Sequence, residues 1–253
     1  MESLETDRQF LKSDRWGEWR DLETDQKRRV PVPPAQKPCP EGAFLIDLPA
    51  PEEITVGRMP LFEAIAQRRS RRRFTEEALT LEELSFLLWA TQGVSQVMTQ
   101  KDGTIVRTLR TVPSGGARHP FETYLLVNRV EEVEPGLYRY LPLEHRLCLL
   151  RTDPELTELV HDVTNGQYVR ESAVTFIWTA VPYRTEWRYS IVAAKIIAQD
   201  SGHLCQNLYL ASEAIGGGTC AIGAYEQAKI DPILQVDGEE EFTIYIAPVG
   251  KIE

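Results

Sequence analysis

The sequence predicts an α+β fold, a mixed or antiparallel sheet flanked by helices with one long central helix. Three observations predict it. Ile196, Ile197, Leu204, Leu208, Ala211 and Ile215 recur at steps of three and four in a segment from about Trp187 to Ile215, the period of a buried helix face. Residues 173–181 form a near-continuous apolar run rich in Val, Thr, Phe, Ile and Trp, as in a central strand covered on both sides. Helical and extended segments mix along the chain without a repeating strand–helix–strand rhythm.

The elements follow in order. Residues 1–30 are strongly charged and read as helix or loose coil, and residues 31–40, PVPPAQKPCP, hold five prolines and must be extended. With the AFLIDLP run that follows, a candidate edge strand, residues 1–58 read as a charged, proline-rich arm too polar to fold alone. The compact domain is assigned to residues 59–253. Pro60 starts a short helix whose last turn runs into arginines. Thr80 and Glu83 form a capping box, Leu79 can staple onto Leu84, and Gly93 stops the helix. From there to residue 120 the chain reads as a loop. Strands follow at 121–129, 136–141 and 146–150, the last two as a hairpin. Asp153-Pro154 opens a helix to about Val163, stopped by Asn165-Gly166. Gly216–Gly218 ends the long helix, and residues 242–249 form the last strand.

Composition narrows the function. The chain has 253 residues with 28 basic and 38 acidic side chains, a net charge of −10, so its average field repels phosphate polymers and anionic membranes. No apolar run reaches the length of a membrane span, and the start, MESLETDRQF, has no apolar signal region. Four scattered cysteines without a CxxC motif read as free thiols in a reducing cytoplasm. His145 and Cys148 sit three apart in the hairpin, where a metal would still lack two ligands. No metal, nucleic-acid or membrane partner is expected.

Against that acidic background, five of the six residues 68–73 are arginine. At a helix-to-coil break Arg68, Ser70 and Arg72 can converge into a donor set suited to a phosphate monoester, and the competing reading is a solvated basic face. PSGGARHP (113–120) precedes a strand. Its small residues let backbone lie against a flat ligand, whereas an ordinary turn would use the same residues. Gly202 inside the long helix costs about 1 kcal/mol relative to Ala, which close approach of a helix or ligand would offset. His203 reads as a satisfied helix histidine. GGGTCAIG (216–223) follows a helix and matches neither a dinucleotide fingerprint nor a P-loop, and no hydrolase triad is evident.

The ordered set RRSRRRF, PSGGARHP before a strand, and GHLCQNLYLASEAIGGG with a following AIG turn resembles the FMN-dependent nitroreductase family. Over residues 60–250 it looks most like the SagB/ThcOx-type branch, which includes azoline dehydrogenases. The resemblance implies a homodimer with FMN at the subunit interface. It places Arg68, Ser70, Arg72 and neighbouring Arg69 on the flavin phosphate and ribityl chain, and Pro113, Ser114, Gly115, Gly116 and Ala117 along the ring. Ile222 and Gly223 match the turn facing the N5 edge, and Lys251 is the one basic residue near the C-terminal end available for the phosphate. The azoline dehydrogenases carry a Lys-Tyr pair where this sequence has Arg188-Tyr189. An arginine stays protonated, so Arg188 can stabilise an anion but cannot act as a base, while Tyr189 can exchange a proton.

The function expected is hydride transfer through FMN between NAD(P)H and a small organic acceptor such as a nitroaromatic or quinone. The alternatives are dehydrogenation of a heterocycle or peptide in a biosynthetic pathway, and a flavin-binding protein without turnover.

Overall fold

The computed structural model describes residues 4–253. The chain begins with α1 (Leu4–Gln9), α2 (Trp16–Asp21), β1 (Leu45–Asp47), α3 (Leu61–Gln67) and α4 (Leu81–Gln92). Next come β2 (Val94–Thr99), β3 (Ile105–Arg110), β4 (Phe121–Val127), β5 (Gly136–Leu141) and β6 (Arg146–Arg151). The rest comprises α5 (Leu156–Val163), β7 (Val174–Ala180), α6 (Tyr183–Tyr189), α7 (Ala193–Ala214), β8 (Gly217–Thr219), α8 (Gln227–Leu234) and β9 (Phe242–Lys251).

Seven strands form one sheet in the order β1-β6-β5-β4-β7-β9-β8, with every neighbouring pair antiparallel. Alternate residues of its strands serve two cores, as a period of two requires. Leu125, Phe176, Trp178, Ala247 and Val249 pack on one face with Leu84, Leu87 and Leu88 of α4 and Leu204 and Leu208 of α7. Tyr124, Leu126, Ile177 and Ile246 pack on the other with α5 and α8. Trp178 and Phe176 are fully buried at the centre, and β7 is covered on both sides, as its apolar run predicts.

The Thr80–Glu83 capping box is complete, with Glu83 N donating to Thr80 Oγ1 at 3.1 Å and Thr80 N donating to Glu83 Oε2 at 3.0 Å. The structure corrects three readings. Residues 94–110 are not loop but a two-stranded ribbon, β2–β3, turned at Asp102-Gly103, where Gly103 has φ 86° and Asp102 Oδ1 accepts from Thr104 N. Irregular register interrupts its alternation, which hides it from a period-two reading. The long helix is broken: α6 ends at Tyr189, the next residue Ser190 has φ 44° and ψ −122°, and α7 starts at Ala193. No glycine or proline marks that break. Gly216–Gly218 is read as the helix stop, and Gly217–Thr219 also adds the edge strand β8 beside β9.

The arm lies against its own body. Gln26 N donates to the Trp187 carbonyl and Trp187 Nε1 returns a bond to Val30 O. Lys37 donates through its amide to Glu122 and through Nζ to Glu241. Cys39 Sγ sits 2.8 Å from Cys148 Sγ on β6, and burial together with that neighbouring thiol pushes Cys148 up to about 12. His145 is held structurally, by Tyr140 at Nδ1 and by Ser85 and Pro49 at Nε2.

Candidate functional site

The arginine run leaves α3 as extended chain. Arg68 N closes the helix on Ala64 O, and the chain then bridges to β8, where Ser70 pairs with Thr219 and Arg71 N donates to Thr219 O at 2.9 Å. Tyr209 of α7 organises this end. The Arg68 guanidinium lies 5.3 Å from its ring centroid, Ser70 Oγ is hydrogen-bonded to its hydroxyl at 3.2 Å, and Ala221 N donates to the same oxygen at 2.9 Å. The helix-to-coil break therefore brings Arg68, Ser70 and the 219–221 segment together.

The five arginines divide by charge. Buried Glu213 of α7 accepts from Arg69 N at 3.1 Å and pairs with the Arg71 guanidinium at 3.3 Å. Arg71, left unassigned by sequence reasoning, is thus the member of the run with an ion pair among the described residues. The Arg69 and Arg72 guanidinium groups reach only nearby carbonyls, those of Ala66, Arg68 and Ser70. Arg68, Arg69, Arg72 and Arg73 are left with positive charge and unfilled donor capacity among the described residues, the chemistry a phosphate dianion requires.

Two expected contributors sit differently. Lys251 Nζ donates to Glu83 Oε1 at 2.5 Å and Ile215 O at 2.8 Å, so its ammonium is engaged in a mostly buried pair rather than joined to Arg68 and Ser70. Ile222 is not bare backbone: its N–H and carbonyl both pair with Ile246, and its side chain is in the core. Gly223 is the exposed residue of that turn, and a Cβ there would meet nothing within 4 Å.

At the second station, residues 113–119 turn sharply, with Gly116, Ala117 and His119 at φ 59°, 53° and 46°. Asp200 of α7 clamps this loop, accepting from Ser114 Oγ at 2.6 Å and Gly115 N at 3.0 Å. His119 N donates to Ser114 Oγ at 2.9 Å, and His203 Nδ1 lies 3.3 Å from Pro113 O. Burial holds the Asp200 carboxyl above its ordinary range, although the bonds from Ser114 and Gly115 pull it down. The amides of Gly115, Ala117, Arg118 and His119 are all taken within the fold. The loop therefore offers a rigid shape more than bare donors.

Arg188 and Tyr189 meet the same loop. A Cβ on Gly116 would lie 2.7 Å from Tyr189 Oη and 3.1 Å from Arg188 Nε, so a side chain there would displace both. Arg188 makes no ion pair with Glu186; its guanidinium sits 5.4 Å from the Tyr189 ring. The arm covers Tyr189 with Trp16 and Trp19, at centroid distances of 6.0 and 5.9 Å.

Sequence reasoning missed Asp200, Tyr209 and Glu213, the three α7 side chains that hold the two stations. Asp200 carried a signal, a carboxylate in the Ile196–Leu204 repeat where an apolar residue is expected. Nine residues separate Asp200 from Tyr209, about 13 Å along the helix and half a turn around it. The two stations thus lie on opposite flanks of α7. Between them Gln199, Gly202, His203 and Gln206 form an open strip, and among the described residues nothing outside this stretch of helix approaches within 4 Å of a Cβ placed on Gly202.

His119, also unassigned by sequence, gives the loop a pH response. Burial first, then Arg110 and Arg118, push its imidazole from 6.5 down to about 3. As pH falls the unfolded chain takes the proton first, so stability is full above about 6.5 and is lost progressively toward about 3. At 1.36 kcal/mol per unit, the loss between pH 7 and pH 5 is about 2 kcal/mol. His119→Asn tolerates the left-handed backbone and should remove that much of the acid sensitivity in urea denaturation; an unchanged pH dependence would contradict the assignment.

Comparison with known proteins fits these observations. The profile described as the nitroreductase family matches residues 65–251. A Methanocaldococcus jannaschii protein that carries a nitroreductase name is 32% identical over 206 residues, 81% of this chain and 96% of its own length. The trifolitoxin-processing protein TfxB of Rhizobium leguminosarum bv. trifolii is 27% identical over 165 residues, 63% of this chain and 44% of its own. The crystal structure of a Ralstonia eutropha protein described as a nitroreductase superposes with a TM-score of 0.65 at 25% identity, covering 88% of this chain and 99% of that one. A Desulfovibrio desulfuricans relative, crystallised in complex with FMN, shares the fold with a TM-score of 0.51 at 23% identity, covering 76% of this chain and 85% of that one.

Proposed function

The chain belongs to the nitroreductase family, and from that premise we propose that it is an FMN-dependent oxidoreductase acting as a homodimer. When bound, FMN supplies hydride transfer at N5 between NAD(P)H and a small organic acceptor such as a nitroaromatic or quinone. The observation that carries the reading is the uncompensated donor set at the end of α3. The Arg68 guanidinium lies over Tyr209 beside the Ser70 hydroxyl, while Glu213 neutralises only Arg71 among the described arginines of the run.

In this reading Arg68, Ser70 and Arg72 hold the phosphate, with Arg69 adjacent. Residues Pro113–Ala117 lie along the ring, their shape fixed by Asp200. The bridge from Ile222 to Ile246 positions Gly223 at the reacting edge. Lys251 reaches the phosphate only by leaving Glu83.

The opposite flanks of α7 support a composite site, with the arginine station of one copy and the 113–117 loop of another on one flavin. Two exposed features support the second copy: the strip at Gly202, and Leu61, Phe62 and Ile65 of α3, which are 66%, 82% and 57% exposed. Apolar clusters of that kind mark interaction surfaces.

The purified protein should be yellow, bleach with dithionite, bleach with NADH or NADPH, and run as a dimer. A colourless protein that gains no bound absorbance on adding FMN would overturn the reading. Yellow protein that neither nicotinamide nucleotide bleaches would favour the flavin-binding or dehydrogenase alternatives.

Two observations favour the dehydrogenase alternative, oxidation of a heterocycle in a peptide, as in the SagB/ThcOx-type branch. Tyr189 Oη lies beside Gly116, and the chain is similar to a toxin-processing protein. There Tyr189 handles a proton and Arg188 stabilises negative charge, a division that the permanent arginine charge imposes. Tyr189→Phe should lower turnover about 10²-fold, the scale of general acid–base catalysis, with flavin content unchanged. Equal turnover would remove Tyr189 from the mechanism.

A further inference from the structure

Four arginines from four different parts of the chain line one pocket of about 390 Å3 beside the 113–117 loop. Arg29 comes from the arm, Arg107 from β3, Arg118 from the end of the loop and Arg188 from α6, and Gly116 and Trp187 are among the other residues of the wall. Among the described residues, no aspartate or glutamate lines it. Among the described residues, none of the four lies within 4.0 Å of a carboxylate, whereas Arg28, Arg71, Arg129, Arg146, Arg151, Arg170 and Arg184 all do. In a chain with 38 acidic side chains, four uncompensated guanidinium groups in one concavity are not an average surface.

Their present partners are weak. Arg107 reaches only the Met98 sulfur, at 3.1 and 3.3 Å. Arg188 lies over the Tyr189 ring. Arg118, 8% exposed, stacks 5.0 Å from the Trp187 centroid and donates through Nε to the Arg184 carbonyl. Burial lowers its affinity for its proton, and neighbouring Arg188 and Arg107 lower it further. Arg29 is held at φ 61°, a backbone conformation costly for a residue with a side chain. Gathering like charges around one space is unfavourable unless an anion fills it.

We propose that this pocket binds the anionic end of the substrate, a small molecule bearing two or more oxyanion groups, phosphate or carboxylate. Guanidinium forks match both groups in bidentate geometry. Gly116 belongs to the pocket wall and to the loop at once, so a molecule anchored here extends toward the ring-facing side of that loop. This placement as a substrate site rests on the function proposed above; the anion site itself does not.

The test is calorimetric titration of the full-length protein, as purified, with pyrophosphate and with citrate at low ionic strength. Arg29→Ala/Arg107→Ala changes two rim residues, both exposed, and Lys229→Ala on α8 serves as the charge control. One site per chain is expected, weakened at least tenfold in the double variant and unchanged in Lys229→Ala. Preference for pyrophosphate assigns a phosphorylated ligand, and preference for citrate a polycarboxylate. Absence of binding to both anions, or equal binding by the double variant, overturns the proposal. Flavin absorbance recorded on the same samples separates the two readings, since a yellow protein that binds neither anion refutes only the pocket.

Discussion

Arg68→Ala combined with Ser70→Ala is expected to yield a folded protein that cannot retain FMN. A charge-assisted hydrogen bond contributes about 1.5–3 kcal/mol, so losing both donors should weaken binding by about 3–6 kcal/mol, or roughly 10²–10⁴ in Kd. The fold should survive. Arg68 and Ser70 are half-buried, and the links from the run to Thr219 are made by backbone. Arg71→Ala should behave oppositely. It removes the partner of buried Glu213, so its main effect is on stability, with flavin retained. Bound absorbance per chain, with thermal melting alongside, separates the two cases. Flavin retained at the wild-type Kd by the double variant would exclude Arg68 and Ser70 from the phosphate site.

That contrast shows where sequence reasoning stops. The run of arginines was visible as an anomaly, but the division between Arg68 and Arg71 depends on Glu213, 142 residues beyond Arg71 and brought there by helix packing. Local signals performed well where the cause was local. The Thr80 capping box, the Gly93 stop and the apolar run of β7 all act through neighbours in sequence. The β2–β3 ribbon was hidden because its register shifts break the alternation. The α6–α7 break depends on Ser190 adopting a left-handed conformation without a glycine to announce it. Tyr189 and Arg188 were found through resemblance, yet their contact with Gly116 and their cover of Trp16 and Trp19 are tertiary facts. The arm was readable as extended from its prolines. Its docking on Glu122, Glu241 and Trp187 was not, because those partners lie in three separate stretches of sequence.

Glu122→Leu is expected to destabilise the protein by about 3–5 kcal/mol, the cost of removing one member of a buried ion pair. Glu122 on β4 and Arg184 on α6 are 2% and 3% exposed and are paired with each other. Arg110 is buried nearby, held by Gln92 Oε1 at 2.8 Å and Ala35 O at 2.9 Å. Burial, and then the charge on Arg184, pull Arg110 down to about 10, and Glu122 opposes that effect. Removing the carboxylate leaves two buried guanidinium groups, those of Arg184 and Arg110, without its compensation. It also takes away the acceptor for the Lys37 amide, one of the bonds that hold the arm. For a chain of this size the melting temperature should fall by roughly 10 °C, and trypsin should cut residues 27–29 of the arm faster. Charge and packing can be told apart with Glu122→Leu/Arg184→Met. Replacing both partners with apolar side chains removes Arg184, the group that lost its partner, and leaves Arg110 held by Gln92 and Ala35, so the double variant should recover much of the lost stability. The arm should nevertheless stay protease-sensitive, because the Lys37 amide still lacks its acceptor. A single variant as stable as wild type would mean that Arg184 finds its compensation elsewhere, and the pair would no longer explain how the arm is bound to the sheet.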